Sequence, residues 1–387
     1  MSACRELPGP QQRPRPRRMR PQAGVTLVEL MVAVAVVGIV ATAMLGVLGT
    51  GATLFRDAES AADVQGNLRF AIDRVQREVR NAGVDATTNA LTDTTLRGGG
   101  NGNWVGIRRN GSGLYTFGTT SATSSNHGGD NTTFPVESIT VLGNFANSAR
   151  QIASSVDSSG VITLLNPALP SADNFTEATF NEWYPIGAPL ALQTRNGMFV
   201  GTVQTTNFAG PNGPTVTMSP APSGASAPQG FSANDSTLAP LRFVRFSLQR
   251  DPGDATKTDL IREEVNPDGS AAAYARRQII AEYAVGLRFT FCKDTSYVFG
   301  SSFGGATIVC GTGGPVEPIS SNPEQLRAVR IAIWVRAATE SNFPLPPWAT
   351  TAQLPEIGFN VAGGTNWLAR IRRLETTVEL PNFLPRY

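Results

Sequence analysis

Glu29 is the one ionisable side chain between Val25 and Phe55. A carboxylate in so apolar a stretch costs several kcal/mol unless a partner meets it, which marks it as a functional residue with a partner to be found. The residues around it read Ala23-Gly24-Val25-Thr26-Leu27-Val28-Glu29-Leu30-Met31. Elsewhere the chemistry-bearing patterns are weak. Gly300-Ser301-Ser302-Phe303-Gly304 fits the G-x-S-x-G nucleophile pattern, with Ser302 as nucleophile. Its base would be His127, the single histidine, which lies upstream in a Ser/Asn/Gly loop although the α/β-hydrolase order places it after the serine. A flexible turn accounts for the pattern better.

Metal and phosphate chemistry fare no better. One histidine and the pair Cys292 and Cys310, expected to be oxidised to each other, do not make a zinc cluster. Asp251, Asp254 and Asp259 offer oxygens to calcium, but without EF-hand spacing they read as a solvated turn. Gly98-Gly99-Gly100-Asn101-Gly102 lacks both a preceding strand and a following lysine, so it reads as a loop. Cys4 sits in the N-terminal tail, and its removal would leave Cys292 and Cys310 as an even pair. In an exported segment such a pair suits a disulfide worth roughly 3 kcal/mol, the alternative being two unlinked small core residues.

The element that must position Glu29 is a helix. Leu30 to Gly49 gives twenty residues without a charge, enough to span a bilayer as a helix. Arg5, Arg13, Arg15, Arg17, Arg18 and Arg20 stand before it against Glu6 alone. That asymmetry predicts a cytoplasmic N-terminus and an exported body. A secretory signal is the first alternative, but the apolar run is longer than a usual signal core and a helical pattern continues beyond it. A generic signal anchor is the second, and it leaves Glu29 unexplained.

Beyond Arg56, Ala61, Val64, Leu68, Ile72, Val75 and Val79 recur with charged residues between them, a period near 3.6 that predicts an amphipathic helix continuous with the spanning one. Gly83 offers a stop. From Thr26 to Ala82 the element would be about 85 Å long at about 1.5 Å per residue.

From about Val84, Gly, Ser, Thr, Asn and Pro punctuate short β-branched or aromatic runs. Strands are predicted at Ser138–Leu142, Val161–Leu165, Met198–Thr205, Thr215–Met218, Leu241–Gln249, Asp259–Val265, Val285–Phe291, Ala328–Val335 and Leu374–Leu380. Alternation in Leu241–Leu248 and Val329–Arg336 implies sheets buried on one face. The predicted fold class is α+β: a long N-terminal helix, transmembrane and then amphipathic, packed on an antiparallel β-sheet head. Long decorations are expected near 85–135, 143–160, 206–236 and 339–368. With the basic tail set aside the body is mildly acidic, which gives no support to nucleic-acid binding.

The stretch Ala23–Met31 resembles the class III signal of type IV prepilins, which a membrane aspartic peptidase cuts after the glycine. The resemblance implies cleavage between Gly24 and Val25, N-methylation of Val25, and a Glu29 carboxylate that pairs with the new N-terminal amine of its own or a neighbouring subunit. The family usually carries Phe or Met where this chain has Val25, which leaves methylation open. Met19 would begin a compact leader, so translation starts either there or at Met1. Phe70–Gly83, with its aromatic, Asp/Arg pair and closing Ala-Gly, is similar to the helix end of the PilW group of minor pilins. Arg370–Phe383 resembles that group's last strand more loosely, and Arg370, Arg372 and Arg373 are either a partner surface or simply solvated.

The resemblance implies a pilin-like arrangement: 1–24 a leader peptide, 25–83 the N-terminal helix (25–53 membrane-spanning, 54–83 amphipathic) and 84–387 a β-rich globular head. It implies a minor pilin with no catalytic role and no cofactor, helping to initiate or tip a type IV pilus. Its partners would be other minor pilins, the major pilin, the prepilin peptidase, an inner-membrane assembly platform and membrane lipid. It would reside in the bacterial inner membrane with the head in the periplasm, and in the fibre or its tip after assembly. A type II secretion pseudopilin shares the same N-terminal physics, and an anchored adhesin or DNA-uptake module is the reading from another class.

Overall fold

The computed structural model describes residues 25–85, 107–109, 136–145, 150–165, 176–195, 197–221, 231, 233, 235–254, 257–266, 270–296, 307–311, 325–338, 358–359 and 369–381. One helix, α1 (Leu27–Arg80), runs for 54 residues. It is long and apolar enough to cross a membrane by length and composition. The chain forms two compact units, Met1–Ala58 and Glu59–Tyr387, so the first part of α1 is one unit and its remainder belongs to the head.

In chain order the head's strands are β1 (Ile107–Arg109), β2 (Ile139–Gly143), β3 (Gln151–Val156), β4 (Val161–Leu164), β5 (Pro189–Thr194), β6 (Gly197–Asn207), β7 (Thr215–Ser219) and β8 (Thr237–Pro240). There follow β9 (Arg242–Arg250), β10 (Thr258–Val265), β11 (Arg277–Ala281), β12 (Ala284–Asp294), β13 (Ile308–Cys310), β14 (Leu326–Arg336), β15 (Gly358–Phe359) and β16 (Ala369–Glu379). A short helix, α2 (Glu177–Trp183), precedes β5.

The strands make two five-stranded sheets, ordered β1-β2-β9-β10-β11 and β13-β12-β14-β16-β15, and a closed barrel, β3-β4-β7-β6-β5-β8. All ladders are antiparallel. Each predicted strand corresponds to an observed one, but the single expected sheet is replaced by this three-part arrangement. The decoration expected at 143–160 instead contains β3, a barrel strand. The barrel interrupts the first sheet at a hairpin position: the chain leaves at Gly143 and returns at Arg242, which are register partners in the β2–β9 ladder.

One core unites helix and sheets. Val64, Leu68, Ala71, Ile72, Val75, Val79 and Ala82 form a buried stripe against Val141, Val244 and Phe246 of the first sheet and Leu287, Phe289, Val329, Ile331 and Ile333 of the second. The spacing of those helix residues at three and four is what places them on one face. Phe70, within the motif, points away and is 57% exposed. The second sheet is not one-sided as expected, because Ala332 and Trp334 pack with Val285, Ala369 and Ile371 on its other face. The barrel has its own core, in which Phe180 and Tyr184 meet Ile162, Leu190, Val203 and Leu238.

Polar contacts fix the helix end on the first sheet. Gly83 takes φ 77°, in the left-handed region where glycine carries no steric cost, and its N–H donates to the Leu142 carbonyl at 2.8 Å. Gly143 lies so close that a Cβ there would sit 2.8 Å from the Asn81 carbonyl oxygen. Glu78, 5% exposed, accepts from Arg262 Nε at 2.8 and 2.9 Å and from Arg74 Nη2 at 3.0 Å. At the other sheet, the Glu137 carboxylate accepts the Phe289 N–H at 2.7 Å.

Arg242 joins the barrel to the sheet. Its guanidinium donates to the Glu182 and Trp183 carbonyls at 2.9 and 2.8 Å, at the negative end of α2. Cys292 and Cys310 are register partners across β12 and β13 and are joined by a disulfide.

Breaking a buried ion pair by removing one member leaves an uncompensated charge. Arg262→Ala should therefore destabilise the protein by about 3 kcal/mol, and the double change Glu78→Leu with Arg262→Met should cost much less than the sum of the single losses. Denaturant titration of the full-length protein in detergent checks both. Gly143→Ala should lower the denaturation midpoint by the equivalent of about 1–3 kcal/mol, because backbone rather than a flexible side chain meets the new methyl.

Candidate functional site

The site is built at the start of α1. Thr26 stands one residue before the helix and Glu29 is its third residue, so both lie where backbone N–H groups lack intrahelical partners. The Glu29 Oε2 accepts the Thr26 N–H at 2.9 Å and the Thr26 hydroxyl at 3.0 Å. In return the Glu29 N–H donates to Thr26 Oγ1 at 3.3 Å. This reciprocal arrangement is a capping box, and the positive end of the helix dipole favours the carboxylate there. The carboxylate thus has an intramolecular partner that the sequence reading did not assign, although Thr26-x-x-Glu29 is itself the signature of such a cap.

The second carboxylate oxygen, Oε1, accepts from no described residue. Glu29 is exposed, and Val25 beside it is 72% exposed. The residues around the carboxylate therefore leave it open on one side to a cation from outside the subunit. An ammonium group meeting that oxygen would form a charge-assisted hydrogen bond.

In the following apolar turns two hydroxyls are met within the helix itself. Thr42 Oγ1 donates to the Gly38 carbonyl at 2.7 Å, and Thr50 Oγ1 donates to the Gly46 carbonyl at 3.0 Å. Hydroxyls satisfied four residues back need no solvent, as a lipid-embedded helix requires. Gly38, Thr42, Gly46 and Thr50 recur every four residues, and Cβ atoms built on Gly38 and Gly46 would meet nothing within 4 Å. Among the described residues nothing packs against those glycines; small residues at this spacing let another helix approach closely. Large apolar side chains fill the rest of the surface, among them Leu27, Leu30, Val37, Ile39 and Leu45, each 60–74% exposed.

Gly24 lies outside the described residues, as do His127, Ser302 and the Gly98–Gly102 run. Cys292 and Cys310 are in the head, at the edge of the second sheet. Asp251 and Asp259 are held by Lys257 at 3.5 and 3.7 Å as the β9–β10 turn closes, and among the described residues no group of three or more His, Cys, Asp or Glu is placed to hold a metal. Arg373 lies over the Trp334 ring, 4.9 Å from its centroid, and pairs with Glu375.

Residues 19–45 match the family model described as the prokaryotic N-terminal methylation motif. No curated protein matches the chain. Among solved structures, a type IV-like pilin from Thermus thermophilus is similar at 13% identity, covering 52% of this chain and 91% of that one. The TM-score is 0.16, too low to bear on the fold. The motif match alone spans Gly24, Val25, Thr26 and Glu29, and it gives the chain a prepilin-type N-terminus.

Proposed function

We propose that this chain is a minor pilin of the PilW type, a structural subunit rather than a catalyst. It is cleaved between Gly24 and Val25 by a prepilin peptidase and assembled with other minor pilins and the major pilin to initiate or tip a type IV pilus. The observation that carries the reading is the carboxylate of Glu29, capped on one oxygen by Thr26 and open on the other, inside a matched N-terminal methylation motif.

In this mechanism the subunit waits in the inner membrane with residues 25–53 in lipid and the head, residues 84–387, in the periplasm. Cleavage frees the Val25 amine, N-methylated or not. When subunits meet, the ammonium of one reaches the open oxygen of Glu29 on a neighbour, and that contact sets the register of helices packed along their apolar surfaces. The Cys292–Cys310 disulfide fits an oxidising compartment for the head. A type II secretion pseudopilin would use the same N-terminal chemistry; Phe70–Gly83 and its resemblance to the PilW group favour the pilus.

N-terminal sequencing of the membrane-extracted protein should return Val25 as the first residue, and Gly24→Ala should retain the leader; a wild-type protein that keeps residues 1–24 overturns the reading. Glu29→Ala should be cleaved normally yet be absent from sheared fibres, whereas Thr26→Ala, which loses about 1 kcal/mol of capping but keeps the carboxylate, should still assemble at reduced yield. Deletion of the chain should abolish surface pili and leave protein secretion intact, and the opposite pattern would assign it to a secretion system.

A further inference from the structure

Leu27 is the first helical residue of α1, and the two before it, Val25 and Thr26, are not helical. The first backbone bond of the helix runs from the Leu30 N–H to the Thr26 carbonyl at 3.1 Å. The next N–H back is that of Glu29, four residues from the Val25 carbonyl; by donating to it, Glu29 would carry the helix one residue nearer the Gly24–Val25 bond. It donates instead to Thr26 Oγ1 at 3.3 Å, and the Val25 carbonyl accepts from no described residue. The Thr26 hydroxyl is therefore what stops the helix, and the β-branched side chains of Val25 and Thr26 add a smaller preference for extended backbone.

Surroundings decide what happens without that hydroxyl. An N–H left unmet in hydrocarbon is strongly unfavourable. In a chain lacking the hydroxyl, the Glu29 N–H turns to the Val25 carbonyl and draws Val25 and Thr26 toward the helix. A peptidase takes its substrate as an extended strand, through main-chain groups that a helical turn would occupy. We propose that Thr26 is a positioning residue for leader cleavage: by taking the Glu29 N–H it holds Val25 and Thr26 extended on the carboxyl side of the bond that is cut. The peptidase's water then divides the Gly24–Val25 amide into the Gly24 carboxylate and the Val25 amine. This role rests on the prepilin reading above. It is separate from the assembly role of the Glu29 carboxylate, because Glu29 contributes only its backbone N–H.

Cleavage of the full-length precursor in detergent by a purified prepilin peptidase, followed as kcat and KM, tests it. A cap that sets the fraction of extended substrate acts on KM. Thr26→Val, which keeps the shape of threonine and loses the hydroxyl, and Thr26→Ala should each raise KM about fivefold with kcat unchanged. Thr26→Ser and Thr26→Asn restore an acceptor at the cap and should cleave within about twofold of wild type. The penalty of Thr26→Val should persist in a Glu29→Ala background, and the Val25 carbonyl carbon should move toward its helical NMR frequency in Thr26→Val but not in Thr26→Ser. Wild-type KM in Thr26→Val and Thr26→Ala, a loss in kcat in place of KM, or Thr26→Ser and Thr26→Asn as impaired as Thr26→Val would overturn the proposal and leave the prepilin reading standing. A wild-type precursor that is not cut after Gly24 would overturn both.

Discussion

A carboxylate removed from water must be met by donors, and two glutamates on α1 meet that requirement in opposite ways. Glu78 is satisfied across elements: Arg262, 184 positions further along, reaches it from β10, while Arg74 closes the other side from one helical turn back. Because the pair is buried, the helix cannot slide or rotate over the sheet without exposing an uncompensated charge. The apolar stripe from Val64 to Ala82 supplies most of the attraction, and hydrophobic contact is tolerant of register. Direction comes from Glu78, the Gly83 N–H on Leu142 and the close approach at Gly143.

One oxygen of Glu29 is met locally, within one turn, and so are the hydroxyls of Thr42 and Thr50, while the other oxygen of Glu29 faces outward. The first part of α1 therefore leaves its apolar surface and one Glu29 oxygen for other molecules, whereas the second part is committed to its own head. A single helix carries both regimes, and the change falls near the junction of the two compact units at Ala58 and Glu59.

What the sequence disclosed follows the range of the forces involved. The helix stripe and long strands such as β9, β12 and β14 were legible because their periodicity is local. β3, β5, β8 and β11 were not: Gln151–Val156, Pro189–Thr194, Thr237–Pro240 and Arg277–Ala281 are short and carry Ser, Pro, Ala or charge, and their order comes from pairing with distant neighbours. Barrel closure is a relation among strands that no single segment carries. At the candidate site, Gly24, Val25 and Glu29 were legible as a motif, and the Thr26 cap was written in the same residues though unread. The Glu78–Arg262 contact had no local signal, since nothing near either residue names the other.

The position of the barrel has a further consequence. Its two ends leave and rejoin the sheet at Gly143 and Arg242, one rung of one ladder. To the sheet, nearly a hundred residues therefore look like a tight turn, and the closure entropy of such a connection grows only slowly with its length. The barrel can lengthen, shrink or change its surface over evolutionary time while β2 and β9 keep their register, so this part of the head is free to diversify while the helix-bearing scaffold stays fixed.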